Sequence, residues 1–251
     1  MPTDLTALSL SHEQAVAALA IQAEVRVVAM ALDDLPAELD LLDAVERGRA
    51  ARFATPQLQR RFIAAHAALR RLLAWASNDD PAALRISADA QGKPVLGDYP
   101  HLHFSLSHCA GRALVALGSA PLGVDIEAFI RRDTALLADQ ILGPAELCRW
   151  HSLPPEQQVR ALTEAWTGKE ALLKACGFGL RVDPVTLELG QGEHVLPGGG
   201  RWFLRPLACV PGHAAALAQA LPVQPLGLFE LKPDRAQGIR LHLLAPSAAT
   251  A

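Results

Sequence analysis

The stretch QLQRRFIAAHAALRRLLAWA, residues 57–76, decides the fold once it is laid over EQQVRALTEAWTGKEALLKAC, residues 156–176. At an offset of 100 residues Phe62 meets Leu162, Ala65 meets Ala165, His66 meets Trp166, and Leu72-Leu73 meet Leu172-Leu173. In each stretch apolar residues recur mostly at steps of three and four, the spacing of one helical face. Ser77-Asn78-Asp79-Asp80-Pro81 stops the first helix, while Pro154-Pro155 opens the second and Gly177 closes it. Pro suits a first helical turn, and Gly suits the left-handed residue after the last one. Working outward, Ala116-Leu117 meets Ala216-Leu217, and Pro121-Leu122-Gly123 is echoed by Pro225-Leu226-Gly227. Self-similarity at a fixed period marks a repeated unit. The expected architecture is α+β, a pseudo-dimer of two similar halves, 20–122 and 123–245, each a long helix packed on a small, mostly antiparallel sheet. The cleft between the halves is then the natural ligand site.

The remaining segments read as short elements. Glu24–Leu32 (EVRVVAMAL) is a Val-rich apolar run bounded by Asp33, Asp34 and Pro36, hence a strand, and Pro36–Ala51 reads as helical. Leu84–Ser87, His103–Ser107, Ala113–Leu117 and Val124–Glu127 read as strands, Leu180–Leu244 as short strands between Gly and Pro turns, and Ala245–Ala251 as a frayed tail. With 51% apolar and 20% charged residues the chain can fill a core, which excludes a disordered protein. Twelve aromatic residues (seven Phe, four Trp, one Tyr) and a net charge of −3 argue against a nucleic-acid binder. The four cysteines lie at least 28 residues apart, so no Cys-x-x-Cys motif exists. Residues 1–22 hold no Lys or Arg and no apolar run approaches membrane length, so the expectation is a cytoplasmic protein with no membrane contact.

Chemistry concentrates in four places. On a strand, Gly123-Val124-Asp125-Ile126-Glu127 puts Asp125 and Glu127 on one face, where they repel unless a cation lies between them. An isolated D-x-E is more often a solvent-facing acidic pair, but a hard cation such as Mg²⁺ typically takes one or two carboxylates, with waters and substrate phosphates completing its shell. Trp166, Glu170 and Lys174 follow at i, i+4 steps along one helix face, offering a third carboxylate and a phosphate ligand, or else an ordinary Glu-Lys surface pair. Ser107-His108 at the end of FSLSH and Lys93 in the Gly92-Lys93-Pro94 turn carry little weight alone. Between Arg47 and Arg71 stand seven arginines and no acid, which points to an anionic ligand or an acidic protein partner rather than a solvated face.

Together GKPVL (92–96), FSLSH (104–108), GVDIE (123–127) and WTGKEALLKACGFGL (166–180), in this order and spacing, resemble the 4′-phosphopantetheinyl transferases of the larger, single-chain, two-halved type. The likeness runs from about Val25 to Leu231. It implies transfer of 4′-phosphopantetheine from coenzyme A to a serine of an apo acyl or peptidyl carrier protein, with release of adenosine 3′,5′-bisphosphate. It also implies Asp125, Glu127 and Glu170 as the Mg²⁺ ligands. Arg49, Arg61, Lys93, Ser107, His108 and Lys174 become coenzyme A contacts, with Arg49 and Arg61 near the 3′-phosphoadenosine. Lys174 and His108 would stabilise the leaving group and Glu170 is the first candidate base. A duplicated chain already brings both cleft walls together, so a monomer is expected.

Two competing readings differ in class. His101-x-His103 with His108 and Asp125 could ligate a transition metal in a hydrolase, although Phe104-Ser105 stands where a further ligand is usual. A scaffold docking carrier domains through its arginines would need neither the three carboxylates nor Lys174.

Overall fold

The computed structural model describes residues 8–20, 24–190, 192–196, 200–222 and 225–244. The strands are β1 (Leu8–Ser9), β2 (Val25–Ala31), β3 (Ile86–Ala88), β4 (Pro94–Leu96), β5 (His103–Cys109), β6 (Arg112–Gly118) and β7 (Leu122–Ala128). They continue with β8 (Glu193–Val195), β9 (Arg201–Pro206), β10 (His213–Gln219), β11 (Leu226–Asp234) and β12 (Gly238–Leu244). The helices are α1 (His12–Leu19), α2 (Ala44–Ala50), α3 (Pro56–Ser77), α4 (Thr134–Ile141), α5 (Pro144–His151) and α6 (Pro155–Cys176). The chain is α+β. One sheet runs β1-β12-β11-β2-β6-β5, a second runs β7-β10-β9-β8, and β3-β4 is a separate hairpin.

Both long helices end where the sequence places the stops. Thr55 caps α3 through its hydroxyl, and Asn78 leaves it in the left-handed region at φ 56°. Pro155 opens α6, and Gly177 leaves it at φ 77°. The expected helix over 36–51 is only partly realised, as a 3-10 turn at Leu39–Leu41 and then α2.

Layering explains why β2 is apolar throughout rather than alternating. Val28 and Met30 join the core beneath α3, while Val25, Val27 and Ala29 join a second core with Val124, Ile126 and Leu217. A strand buried on both faces reads as a continuous apolar run. Ala216 and Ala218, on the other face of β10, pack with Leu172 and Ala175 of α6. The order through the molecule is α3, first sheet, second sheet, α6.

The sequence strand, 22-residue helix, strand, strand occurs twice, as β2-α3-β5-β6 and β7-α6-β9-β10, with matching pairings β2-β6-β5 and β7-β10-β9. A small device also recurs. Glu46, near the start of α2, is ion-paired with Arg70 of α3, and Glu146, near the start of α5, is ion-paired with Lys169 of α6. Topology departs from the expected split at 122/123 in one respect. β11 returns to pair in parallel with β2, Leu226 beside Val25 through Leu231 beside Met30, so residues 226–244 are built into the first sheet. The physical reason is that β2 pairs with β6 on one side only, and an unpaired apolar edge needs cover. No helix of the described residues is long and apolar enough to cross a membrane.

Candidate active site

β5 and β7 lie side by side as edges of different sheets, and side chains rather than main chain join them. Ser105 Oγ accepts from Val124 N at 3.1 Å, Ser107 Oγ from Ile126 N at 3.4 Å, and Cys109 Sγ from Ala128 N at 3.1 Å. Residues two apart share a strand face, so Ser105, Ser107 and Cys109 meet successive outward amides of β7. This seam fixes β7 against the first sheet. α6 closes on β7 from the other side at Gly123, where a Cβ would fall 2.3 Å from Ala171 O and 2.4 Å from Ala175 N. Only glycine permits that approach, and it brings Lys174 of α6 onto Asp125 of β7.

Lys174 Nζ lies 2.6 Å from Asp125 Oδ1 and donates to Ser107 Oγ at 2.9 Å, while Ser107 Oγ donates to Asp125 Oδ1 at 2.7 Å. Asp125 is 2% exposed, and its second oxygen, Oδ2, has no hydrogen-bond partner among the described residues. Glu170 Oε1 is likewise buried and unpartnered. Unpaired buried acceptors are rare and costly. Burial, then the neighbouring Asp125 charge, pushes the Glu127 carboxyl up to about 7. Burial pushes Glu170 up as well, against the pull of Lys174, and pushes the Cys109 thiol up to about 12, with Glu127 adding to it. As the side chains stand, no three His, Cys, Asp or Glu among the described residues close around an ion. Two orphaned carboxylate oxygens suit Mg²⁺, which leaves most of its octahedral shell to waters and phosphates, better than a metal that demands a protein cage.

Lys174 also lines a cleft of about 940 Å³. Its walls come from α2, α3, the β3-β4 hairpin and β5 on one side and from the C-terminal end of α6 on the other. Arg49, His66, Lys93, His108, Lys174 and Arg181 line it against two acids, Asp43 and Glu46, so basic groups predominate. Burial, followed by the nearby His66, Lys174 and Arg49 charges, lowers the pKa of His108. Such a cleft suits a polyanion with an apolar portion, since Leu69, Ile86, Phe104, Leu106 and Phe178 complete the lining.

Comparison with known proteins agrees with this chemistry. Residues 121–217 match the model of the 4′-phosphopantetheinyl transferase superfamily, a span holding Asp125, Glu127, Glu170 and Lys174. The 4′-phosphopantetheinyl transferase HetI of Nostoc sp. is 34% identical over 197 residues, 75% of this chain and 81% of the relative. The chain belongs to the 4′-phosphopantetheinyl transferase superfamily. A 4′-phosphopantetheinyl transferase of Bacillus subtilis is 29% identical over 63% of this chain and 72% of its own length. The Sfp transferase of Bacillus subtilis strain 168 is 27% identical over 57% and 66%.

Within this superfamily member the residues singled out in the sequence divide into three groups. Asp125, Glu127, Glu170, Lys174 and Ser107 come together, and Arg49 and His108 line the adjoining cleft. Lys93 lines the cleft too, but its ammonium donates to Leu122 O at 2.9 Å and Ala175 O at 2.7 Å, and burial lowers its pKa to about 8. It ties the β3-β4 hairpin to β7 and to the end of α6, so a phosphate has to compete with two carbonyls. Ser107 is occupied by the β5-β7 seam and by Asp125. Arg61 is absent from the cleft lining and clasps Asp33 with both donors, at 2.8 and 2.5 Å.

The expected arginine face is corrected in the same way. Arg60 donates to the carbonyls of Leu32 and Leu35, Arg70 is buried against Glu46 and Asp43, and Arg71 pairs with Glu38. Acids at 33, 38, 43 and 46 lie just upstream of the arginine run and fold back onto it. Among the described residues only Arg47, Arg49 and Arg52 of the seven have side chains without a hydrogen bond or ion pair. The histidines of the hydrolase reading separate: His101 is exposed against the Tyr99 ring, and His103 lines a different, smaller pocket.

Sequence reasoning missed His66, Glu46, Arg70 and the Lys169–Glu146 pair. One signal was legible: Glu46 and Glu146 each stand three residues after a helix-start residue, Asp43 or Gly143, the spacing of a capping box.

Proposed function

We infer that this enzyme transfers the 4′-phosphopantetheine group of coenzyme A to a serine hydroxyl of an apo acyl or peptidyl carrier protein. The observation that carries the inference is that two buried carboxylate oxygens without partners, Asp125 Oδ2 and Glu170 Oε1, lie beside Lys174 at the edge of the cleft, inside the span that matches the superfamily. Asp125, Glu127 and Glu170 would hold Mg²⁺, which when bound neutralises charge on the pyrophosphate. Coenzyme A takes the cleft, its apolar arm beside Phe104, Leu106 and Phe178 and its phosphates toward Arg49, His108 and Lys174.

The chain's own residues then do three things. Lys174 spends two of its three donors on Asp125 and Ser107 and has the third for a phosphate oxygen of the departing adenosine 3′,5′-bisphosphate. His108 offers a second donor to the same group. Glu170, its pKa raised by burial, is the candidate to take the serine proton. The serine oxygen bonds to the phosphorus on the pantetheine side, the bond from that phosphorus to the bridging oxygen breaks, and the serine proton goes to the Glu170 carboxylate. Positioning and charge neutralisation supply most of such catalysis.

We further propose that the two β-α-β-β units form a pseudo-dimer within one chain and that the enzyme acts as a monomer, because both walls of the cleft belong to a single copy. Incubation with coenzyme A, Mg²⁺ and a panel of apo carrier proteins, read by mass spectrometry, is expected to add one phosphopantetheine to at least one carrier. A panel left entirely unmodified, with folded protein, would sink the reading.

A further inference from the structure

The network behind the cleft wall is one of buried, paired groups with a single free end. Glu46 accepts from Arg70 Nε at 2.7 Å, from the Asp43 amide at 3.0 Å and from His66 Nδ1 at 2.8 Å. Arg70, 1% exposed, also donates to Asp43 at 2.9 Å and to the carbonyls of Pro81 and Leu84. Every polar group here but one therefore has a protein partner. The exception is His66 Nε2, which makes no protein hydrogen bond among the described residues and is not sealed from solvent. The ring packs on Phe62 with centroids 4.0 Å apart and planes 30° apart, and Arg49 lies 5.5 Å over the Phe62 ring. His66 itself lines the cleft beside Arg49, His108 and Lys174.

We propose that His66, clamped at Nδ1 by Glu46, is a further binding residue of the cleft, donating from Nε2 to a phosphate of the co-substrate. The proposal rests on coenzyme A being that co-substrate. A carboxylate at one imidazole nitrogen fixes the ring's orientation and leaves the other nitrogen to act, the arrangement used to orient histidines in catalytic and metal sites. Glu46 is held well below the usual range, at about 2, by the donors from His66, Asp43 and Arg70 outweighing its burial, so it stays anionic wherever the enzyme works. The charged groups facing His66 are Glu46 and Arg49 from α2, Asp43 at the N-cap of α2, Arg70 from its own helix, His108 from β5 and Lys174 from α6. Arg70 offsets one of the two acids, and Arg49 and Lys174 outweigh the other, so the named groups carry a net positive charge. An anion set between His66 and His108 favours protonation of both rings, so its affinity falls as pH rises.

The test uses the full chain and two readouts. Ring resonances of His66, assigned by their loss in His66→Gln, are titrated with pH alone and with adenosine 3′,5′-bisphosphate, 5′-AMP or inorganic pyrophosphate. Binding through Nε2 is expected to shift the His66 ring resonances at saturation, at the pH values where coenzyme A binds. A response to the bisphosphate but not to AMP assigns the 3′-phosphate, and a response to pyrophosphate assigns the diphosphate. Calorimetry of coenzyme A with His66→Gln is expected to show about tenfold weaker binding at pH 6 and a flatter pH dependence than wild type, at an unchanged melting temperature. Coenzyme A that binds wild type while His66 stays silent to all three probes overturns this inference and leaves the function standing. Absence of any coenzyme A binding overturns both.

Discussion

Two groups of buried acids border the long helices, and they differ in how completely they are satisfied. Glu46 is used at every position by Arg70, His66 and the Asp43 amide, and Glu146 likewise takes Lys169, the Gly143 amide and the Leu189 amide. Asp125 and Glu170 each keep an oxygen with no partner, and Glu127 and Glu170 are pushed up where Glu46 is pushed down. The first kind of acid holds helices together. The second retains electrostatic strain that only a further cation or a proton relieves, and groups perturbed in this way gather at functional sites.

The sharpest test of that contrast is Lys169→Met. Lys169 is fully buried, donating to Glu146, Ile141 O and Pro184 O, so its loss strands a buried charge. Urea unfolding is expected to show a loss of about 3–5 kcal/mol, only partly restored when Glu146→Leu is added, because the Gly143 and Leu189 amides then lose their acceptor. A loss below about 1 kcal/mol would put this pair on the same footing as a surface bridge and break the comparison. Asp125→Asn should act in the opposite sense, costing about 10² to 10³ in turnover with a melting temperature close to wild type, since the amide still accepts from Lys174. Turnover near wild type would mean that β7 is structural.

A subtler effect concerns acid. Because the folded-state pKa of Glu46 is depressed, its contribution is fully present above its ordinary value near 4.5 and is lost as pH falls from there toward 2. Thermal melts between pH 5 and 2.5 are expected to show a shallower decline for Glu46→Gln, from a lower starting point. The smallest effect should come from Ser105→Ala, which leaves the Val124 amide without its acceptor: about 1 kcal/mol of stability and little change in turnover. Ser107→Ala, one residue pair along the same seam, should lose turnover because it also aligns Asp125 and Lys174.

Features set by spacing along one element were legible in the sequence, and features set between elements were not. The strand over β2, both ends of α3 and α6, and the shared face of Asp125 and Glu127 follow from period and punctuation within a few residues. The return of β11 to β2 was invisible, because strand pairing across two hundred residues leaves no local mark. Helices α4 and α5 escaped because they are eight residues each and lie in one short span of mixed composition. Lys93 and Arg61 were assigned to coenzyme A by the family resemblance, which carries no information about the carbonyls and the carboxylate that this fold places against them. The arginine run misled for a related reason: a count of charge inside a window ignores acids immediately outside it.

The parallel pairing of β11 with β2 also sets the order in which this molecule can be made. β2 leaves the ribosome more than two hundred residues ahead of β11, one of its two neighbours. Until residues 226–231 emerge, the nascent chain holds an apolar strand with one bare edge, the kind of surface that recruits chaperones or other strands. A product truncated before β11 lacks a complete first sheet however well its cleft residues are spelled.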